Sequence, residues 1–193
     1  MRSLPRRIAI ELDGVLARTV SEADQADQAG RSENFWETLS ETEPNVVSRL
    51  AGITADRRWE VIFLTKRTPS AGDIVQVQSQ RWLEAKGFAL PCVYVTPGSR
   101  GRIASALHLD LVIDASPDNC VNVVTESDAR AILVWPGDRA GLPPDARRPD
   151  ISLAKSFGEC LDMLAVVDDP SPRNAGVFAW LRRLFGLRQA RQA

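Results

Sequence analysis

The feature that most constrains the fold is an apolar run near the amino terminus that ends in two acids and a glycine. It reads Ile8-Ala9-Ile10-Glu11-Leu12-Asp13-Gly14-Val15-Leu16. A short apolar run of this kind predicts a buried strand. Because side chains alternate along a strand, Glu11 and Asp13 can project to the same side while Leu12 points away. Gly14 permits a tight turn, so the run predicts a buried strand that opens into an acidic site.

Apolar runs bounded by turn residues recur along the chain, with helix-like stretches between most of them. They lie at residues 8–10, 61–64, 92–95, 111–113 and 132–135. Strands that alternate with helices are typical of a parallel sheet covered on both faces. We therefore predict an α/β fold with three layers and a mainly parallel five-stranded sheet. Residues 151–153 and an apolar helix over about 155–166 are expected to complete the domain.

The length and composition suit one globular domain with an appendage. The chain has 193 residues, of which 44% are hydrophobic and 25% charged, enough for one full core. Residues 1–167 are predicted to form the domain, with a polar, acidic insertion over about 17–43 after the first strand. The Asp- and Pro-rich stretch 168–176 is typical of a linker. Residues 177–193 then predict a basic, amphipathic helix.

Three of the predicted strands end in a polar residue that can bind a ligand. These residues are Glu11 after the first strand, Thr65 after the second and Asp114 after the fourth. In an open parallel sheet the carboxyl ends of the strands face a common crevice. We therefore expect the three side chains to converge.

The segments around these strand ends resemble the signatures of one enzyme superfamily. Thr65-Lys66-Arg67-Thr68-Pro69 follows the second strand, Arg100 begins a helix that Ser99 can cap, and Asp114-Ala115-Ser116-Pro117-Asp118 follows the fourth strand. With the first run, these segments are similar in order and spacing to the four signatures of the haloacid dehalogenase (HAD) superfamily of phosphatases. The resemblance spans roughly residues 7–165 and is nearest to the small-cap, 5'-nucleotidase-like branch. It implies a Rossmannoid HAD-like fold with a small cap after the first strand.

The resemblance also implies roles for individual residues. Glu11 stands where the family has its nucleophilic Asp, and Asp13 matches the acid that protonates the leaving group and later activates water. Thr65, Lys66 and Arg100 would bind the phosphate. Mg²⁺ would be held by Glu11, the backbone carbonyl of Asp13 and Asp114, with Asp118 reached through water; Ala115 replaces a second family Asp.

Glu11 is one methylene longer than Asp, so its attacking oxygen must fold back or displace phosphate and metal. Phosphoryl transfer depends mainly on positioning, and a small misplacement can reduce the rate on the order of 100-fold. The leading hypothesis is therefore a Mg²⁺- and phosphate-binding protein that derives from phosphomonoesterases and is impaired or inactive in catalysis. One alternative is an active Mg²⁺-dependent phosphohydrolase. Another is an interaction scaffold recruited through its basic terminal helix.

Simpler interpretations of the same residues stay open. Thr65 can merely end a strand, with Lys66 exposed to solvent, and the arginines after Ser99 can be exposed without a ligand. The single histidine, His108, excludes a histidine-rich metal cluster and a Ser-His-Asp triad. No phosphate-binding GxxxxGK[ST] loop or GxGxxG motif occurs. A receiver domain would place its paired acids next to each other at one strand end.

Charge and cysteine usage indicate the partners and the compartment. The net charge of −1 gives no reason to expect nucleic acid as a partner. The resemblance to the HAD superfamily implies a small phosphorylated molecule as the partner. The tail beyond residue 172 holds five arginines and no acid. Residues 177–191 could therefore contact an anionic membrane surface or a protein, or pack on their own domain. Three cysteines without CxxC spacing favour the reducing cytoplasm.

Overall fold

The computed structural model of the chain describes residues 6–19, 36, 39–66 and 74–166. These residues form an α/β fold with eight strands and five α-helices. The strands are β1 (Arg7–Glu11), β2 (Ala17–Thr19), β3 (Leu39–Glu41), β4 (Glu60–Thr65), β5 (Cys92–Val95), β6 (Leu111–Asp114), β7 (Arg130–Val134) and β8 (Ile151–Ala154). The helices are α1 (Val46–Arg57), α2 (Val75–Ala85), α3 (Arg100–Ala106), α4 (Pro117–Glu126) and α5 (Phe157–Val166).

Six of the strands form one parallel sheet, and β1 lies near its centre. The strand order is β5-β4-β1-β6-β7-β8, and every neighbouring pair is parallel. The predicted parallel α/β architecture is therefore confirmed. The sheet has six strands where five were expected, because residues 151–154 pair with β7 as an edge strand. This strand is short and only its two end residues are buried, so its apolar pattern is weak.

Helices cover both faces of the sheet, as the alternation of side chains along β1 requires. Ile8 and Ile10 belong to one core cluster, which includes residues of α1, α2 and α5. Ala9 points to the opposite face and belongs to a second cluster, which includes residues of α3 and α4. The two clusters account for the three layers predicted from the sequence. Continuous apolar runs are needed in the central strands because both of their faces are buried.

The described part of the predicted insertion 17–43 is a short antiparallel ribbon. It consists of β2 and β3, which pair from Ala17 with Glu41 to Thr19 with Leu39. The indole Nε1 of Trp82 in α2 donates a hydrogen bond to the Leu39 carbonyl at 3.1 Å. Thr42 donates through Oγ1 to the Val15 carbonyl at 2.6 Å. The ribbon is thereby fixed beside the carboxyl end of β1.

Two predicted segments, the linker 168–176 and the terminal helix 177–193, lie outside the described residues. The helix α5 precedes them, and its last carbonyls accept hydrogen bonds from the Arg57 guanidinium of α1. The nitrogens Nη1 and Nη2 donate to the Leu164 and Ala165 carbonyls at 2.7 and 2.6 Å. In the described part of the chain no helix combines the length and the apolar character that a bilayer span requires.

Candidate functional site

The predicted polar strand ends meet at one edge of the sheet. Glu11, Thr65 and Asp114 end β1, β4 and β6, which are neighbours in the sheet. All three residues are buried. From β1 the chain continues to β4 and β5 on one side, and it then crosses back to β6 on the other side of β1. This reversal makes the edge a topological switch point. Ligand sites of open parallel sheets lie at such points, so we treat the acidic crevice at this edge as the candidate site.

A buried arginine lies between the two deepest carboxylates of the crevice. The Arg100 guanidinium donates from Nε and Nη2 to Oε2 of Glu11 at 3.0 and 2.5 Å. Its Nη1 donates to the Thr96 carbonyl at 3.2 Å, and its Nε lies 3.7 Å from Oδ2 of Asp114. The Arg100 side chain is 0% exposed. Arg100 is therefore an internal counter-ion for both acids, and a phosphate would reach it only after the side chain moved.

The helix that carries Arg100 begins as the sequence predicts. The Ser99 hydroxyl accepts hydrogen bonds from the Gly101 and Arg102 backbone amides at 3.2 and 3.5 Å. This cap directs the first residue of α3 inward, while Arg102 is exposed. The interpretation of these arginines as exposed is wrong for Arg100, because the carboxylates at the strand ends draw its side chain into the crevice.

Burial changes the acidity of both carboxyl groups. Loss of hydration raises the pKa of Glu11 to about 7, against the opposing effect of Arg100 and with reinforcement from the charge of Asp114. Burial likewise raises the pKa of Asp114. That carboxylate accepts hydrogen bonds from the Ser116 amide and from Nδ2 of Asn119, each at 2.8 Å, and these oppose the rise. These partners favour the charged carboxylates against the larger cost of their burial.

Asp13 lies nearer to solvent than Glu11 and contacts a different partner. Its side chain is half-buried, and Oδ2 accepts a hydrogen bond from the Thr65 hydroxyl at 2.8 Å. Gly14, with a φ of 80°, turns the chain out of the strand direction directly after it. The contact joins the half-buried Asp13 carboxylate to the buried Thr65 hydroxyl. A carboxylate in this position could exchange a proton with a group bound in the crevice.

The fourth segment brings in a residue that sequence reasoning missed. Asp118 is exposed, whereas Asn119 is buried. The side-chain amide of Asn119 links Asp114 to Lys66, because the Nζ of Lys66 donates a hydrogen bond to Oδ1 of Asn119 at 2.9 Å. The Ser116 hydroxyl caps α4 by accepting from the Asn119 amide at 3.4 Å. A Ser-Pro pair fixes the residue at which a helix begins, and therefore which side chains of its first turn share a face. That signal could have indicated Asn119, and not Asp118, as the partner of Asp114.

The donors in the crevice fit Mg²⁺ in chemical kind. Two carboxylates, those of Glu11 and Asp114, and the backbone carbonyl of Asp13 are hard oxygen donors, and Mg²⁺ usually keeps several waters. Among the described residues, no group of three or more His, Cys, Asp or Glu side chains is arranged to hold a metal ion. Because Arg100 already binds Glu11, a metal ion would have to share that carboxylate with the guanidinium.

Comparison with solved structures identifies the fold. The chain is similar to D,D-heptose 1,7-bisphosphate phosphatase from Burkholderia thailandensis, with a TM-score of 0.55 and 13% identity over 83% of this chain and 99% of that one. It is also similar to a 2-haloacid dehalogenase from Pseudomonas syringae pv. tomato DC3000, with a TM-score of 0.50 and 16% identity over 84% of this chain and 99% of that one. No protein-family model and no curated protein sequence matches the chain. The chain thus shares the fold of these two proteins, and this is the HAD-like fold predicted from its motifs.

Proposed function

We propose that this chain is a phosphate-binding protein on a HAD phosphohydrolase scaffold, with weak or no turnover of the small phosphorylated molecule that it binds. The observation that carries the proposal is the commitment of Glu11 to Arg100. The residue at the family's nucleophile position has Oε2 bound by two guanidinium nitrogens. Attack on phosphorus would fall to Oε1, and the contact with Arg100 sets the direction of the whole carboxylate, which in-line attack would otherwise have to set.

Other groups in the crevice support binding of a phosphoryl group. Lys66 is exposed and lies next to Thr65 at the end of β4. The positive charge of Arg100 offsets the buried acids, which would otherwise repel an anion. The proposal includes Glu11 and Asp114 as ligands of Mg²⁺, as predicted from the sequence. The bound ion would supply positive charge to the phosphoryl oxygens.

Binding of inorganic phosphate tests the proposal. Isothermal titration calorimetry with millimolar phosphate, with and without Mg²⁺, should detect binding to the native protein. Thr65→Val should weaken that binding, because it removes the hydroxyl beside Asp13. Thr125→Val is the matched control, since this exposed hydroxyl in α4 donates only to carbonyls of its own helix. An absence of heat under both conditions would refute the proposal.

An active phosphohydrolase is the second candidate, and the contact between Asp13 and Thr65 favours it. A half-buried carboxylate that accepts a hydrogen bond from the Thr65 hydroxyl supports a role for Asp13 as general acid and base. Glu11→Asp separates the two candidates in an assay of phosphate release. A gain of activity would show that the native residue is a lost nucleophile, whereas unchanged turnover by an active native protein would show that Glu11 itself works.

The finer predictions from the sequence belong to the same proposal. The short ribbon of β2 and β3 supports a small cap of the 5'-nucleotidase-like kind. The three free cysteines support a reducing cytoplasmic compartment. Recruitment of a membrane surface or a protein through residues 177–191 stays a prediction, because those residues lie outside the described part of the chain.

A further inference from the structure

A cleft opens beside the acidic crevice at the same edge of the sheet. Its volume is about 410 Å³, which lies in the range of small-molecule sites. Gly14 and Ala115 line it, and they directly follow Asp13 and Asp114 of the crevice. The cleft and the crevice therefore share a wall, and a molecule with its phosphoryl group in the crevice could extend into the cleft.

The charged side chains of the cleft favour an anion. Arg18 of β2 and Lys155, which follows β8, both line it and both are exposed. The acid in the lining is Glu43, whose carboxylate accepts hydrogen bonds from the Gly158 amide at 2.7 Å and from the Ser156 hydroxyl at 3.1 Å. Because the Glu43 carboxylate binds the start of α5, its negative charge offsets the positive end of the helix dipole more than it repels an incoming anion.

Apolar surface forms much of the remaining wall. Trp135 and Phe157 line the cleft, and the indole Nε1 of Trp135 donates to the Asp138 carbonyl at 3.2 Å. The polar atom of the indole is thereby satisfied, which leaves its ring as apolar surface. Ala115 adds a small apolar side chain at the boundary with the crevice. The cleft thus combines room for a compact apolar body with two cations at its edge.

We propose that the cleft binds the organic part of a phosphomonoester that carries a second anionic group. The body of that ligand would pack on Trp135, and its second anion would pair with Arg18 and Lys155. This inference rests on the proposed function, because it places the phosphoryl group of the same molecule in the crevice. It restricts the ligands to doubly anionic organic phosphates with a ring or another compact apolar part.

Three probes that the protein cannot hydrolyse test the inference by calorimetry. They are inorganic phosphate, phenylphosphonate and 4-carboxyphenylphosphonate. The native protein should bind the carboxylated phosphonate roughly tenfold more tightly than phenylphosphonate, as two partly exposed ion pairs allow. The double variant Arg18→Gln/Lys155→Gln should lose this difference and keep its affinity for inorganic phosphate. Arg102→Gln is the matched control, because Arg102 is exposed and does not line the cleft.

The outcomes separate the cleft from the phosphate site. If inorganic phosphate binds but the native protein has equal affinity for the two phosphonates, the cleft proposal is wrong and the proposed function stands. A preference that survives in the double variant also overturns the assignment of Arg18 and Lys155. If none of the three probes binds, the proposed function fails, and the cleft proposal fails with it.

Discussion

Loss of the Arg100 guanidinium is expected to destabilise the native fold strongly, because it would leave buried carboxyl groups without their cation. The side chains of Arg100 and Glu11 are both buried, with exposed fractions of 0% for Arg100 and 7% for Glu11. Arg100→Met keeps the length of the side chain but leaves Glu11 and Asp114 buried without their cation. Removal of one partner from a buried pair typically destabilises a protein by about 3 to 5 kcal/mol. For a domain of this size that corresponds to a melting temperature lower by roughly 10 °C.

Urea unfolding followed by tryptophan fluorescence measures this loss. Two further variants make the measurement specific. Glu11→Gln/Arg100→Met removes both charges of the pair and should recover part of the lost stability, because no Glu11 carboxylate then remains unpaired. Arg148→Met removes a guanidinium that binds Asp150 through Nε and Nη2 at 3.1 and 3.0 Å on the surface, where screening makes the effect much smaller.

The physical account of the crevice depends on the order of these effects. It would be wrong if Arg100→Met lowered the free energy of unfolding no more than Arg148→Met does. It would also be wrong if the double variant were less stable than Arg100→Met alone. In that case the packing of the Arg100 side chain, and not its charge, would hold the crevice together.

Two more predictions concern acidity and helix packing. Because burial raises the pKa of Glu11 to about 7, the folded state keeps a proton that the unfolded state has lost between about pH 4.5 and 7. The free energy of unfolding should therefore fall by up to about 3 kcal/mol as pH rises through this window. Urea unfolding in metal-free buffer should show a weaker dependence of stability on pH for Glu11→Gln than for the native protein. An identical dependence would contradict the raised pKa of Glu11. A Cβ at Gly101 would overlap the backbone carbonyl of Asn122, whereas one at Gly52 meets nothing within 4 Å. Gly101→Ala should lower the midpoint of urea unfolding. Gly52→Ala lies in an exposed helix interior and should raise the free energy of unfolding by about 0.5 to 1 kcal/mol. Equal effects of the two substitutions would contradict the close packing of α3 on α4.

The sequence predicts the architecture well because the central strands of the main sheet, β4, β1, β6 and β7, are buried on both faces. Their apolar runs are continuous, and each of three strands ends in a polar residue that the parallel topology brings to one edge. Glu11, Thr65 and Asp114 could therefore be placed together from the sequence. The edge strand β8 was expected only as a continuation of the domain, because an edge strand needs less apolar surface.

The details of the crevice depend on contacts between distant segments. Local sequence indicates that Ser99 caps a helix but not that Arg100 turns inward to Glu11. The choice of Asn119 over Asp118 as the partner of Asp114 follows from the phase of α4 relative to the sheet. Arg18 and Lys155 both line the cleft because of tertiary packing, which no local sequence pattern predicts.

The central claim is that the crevice binds phosphate while Glu11, held by Arg100, supports little or no chemistry. Release of phosphate from a panel of phosphomonoesters in the presence of Mg²⁺, measured beside calorimetric phosphate binding on the same preparation, tests it most directly. Asp13→Asn provides the background, since it removes the acid and base that turnover requires. We predict that the native protein binds phosphate and releases it from esters no faster than Asp13→Asn does. Metal-dependent turnover about 100-fold above that background would show that Glu11 works as a catalytic residue and would contradict the claim.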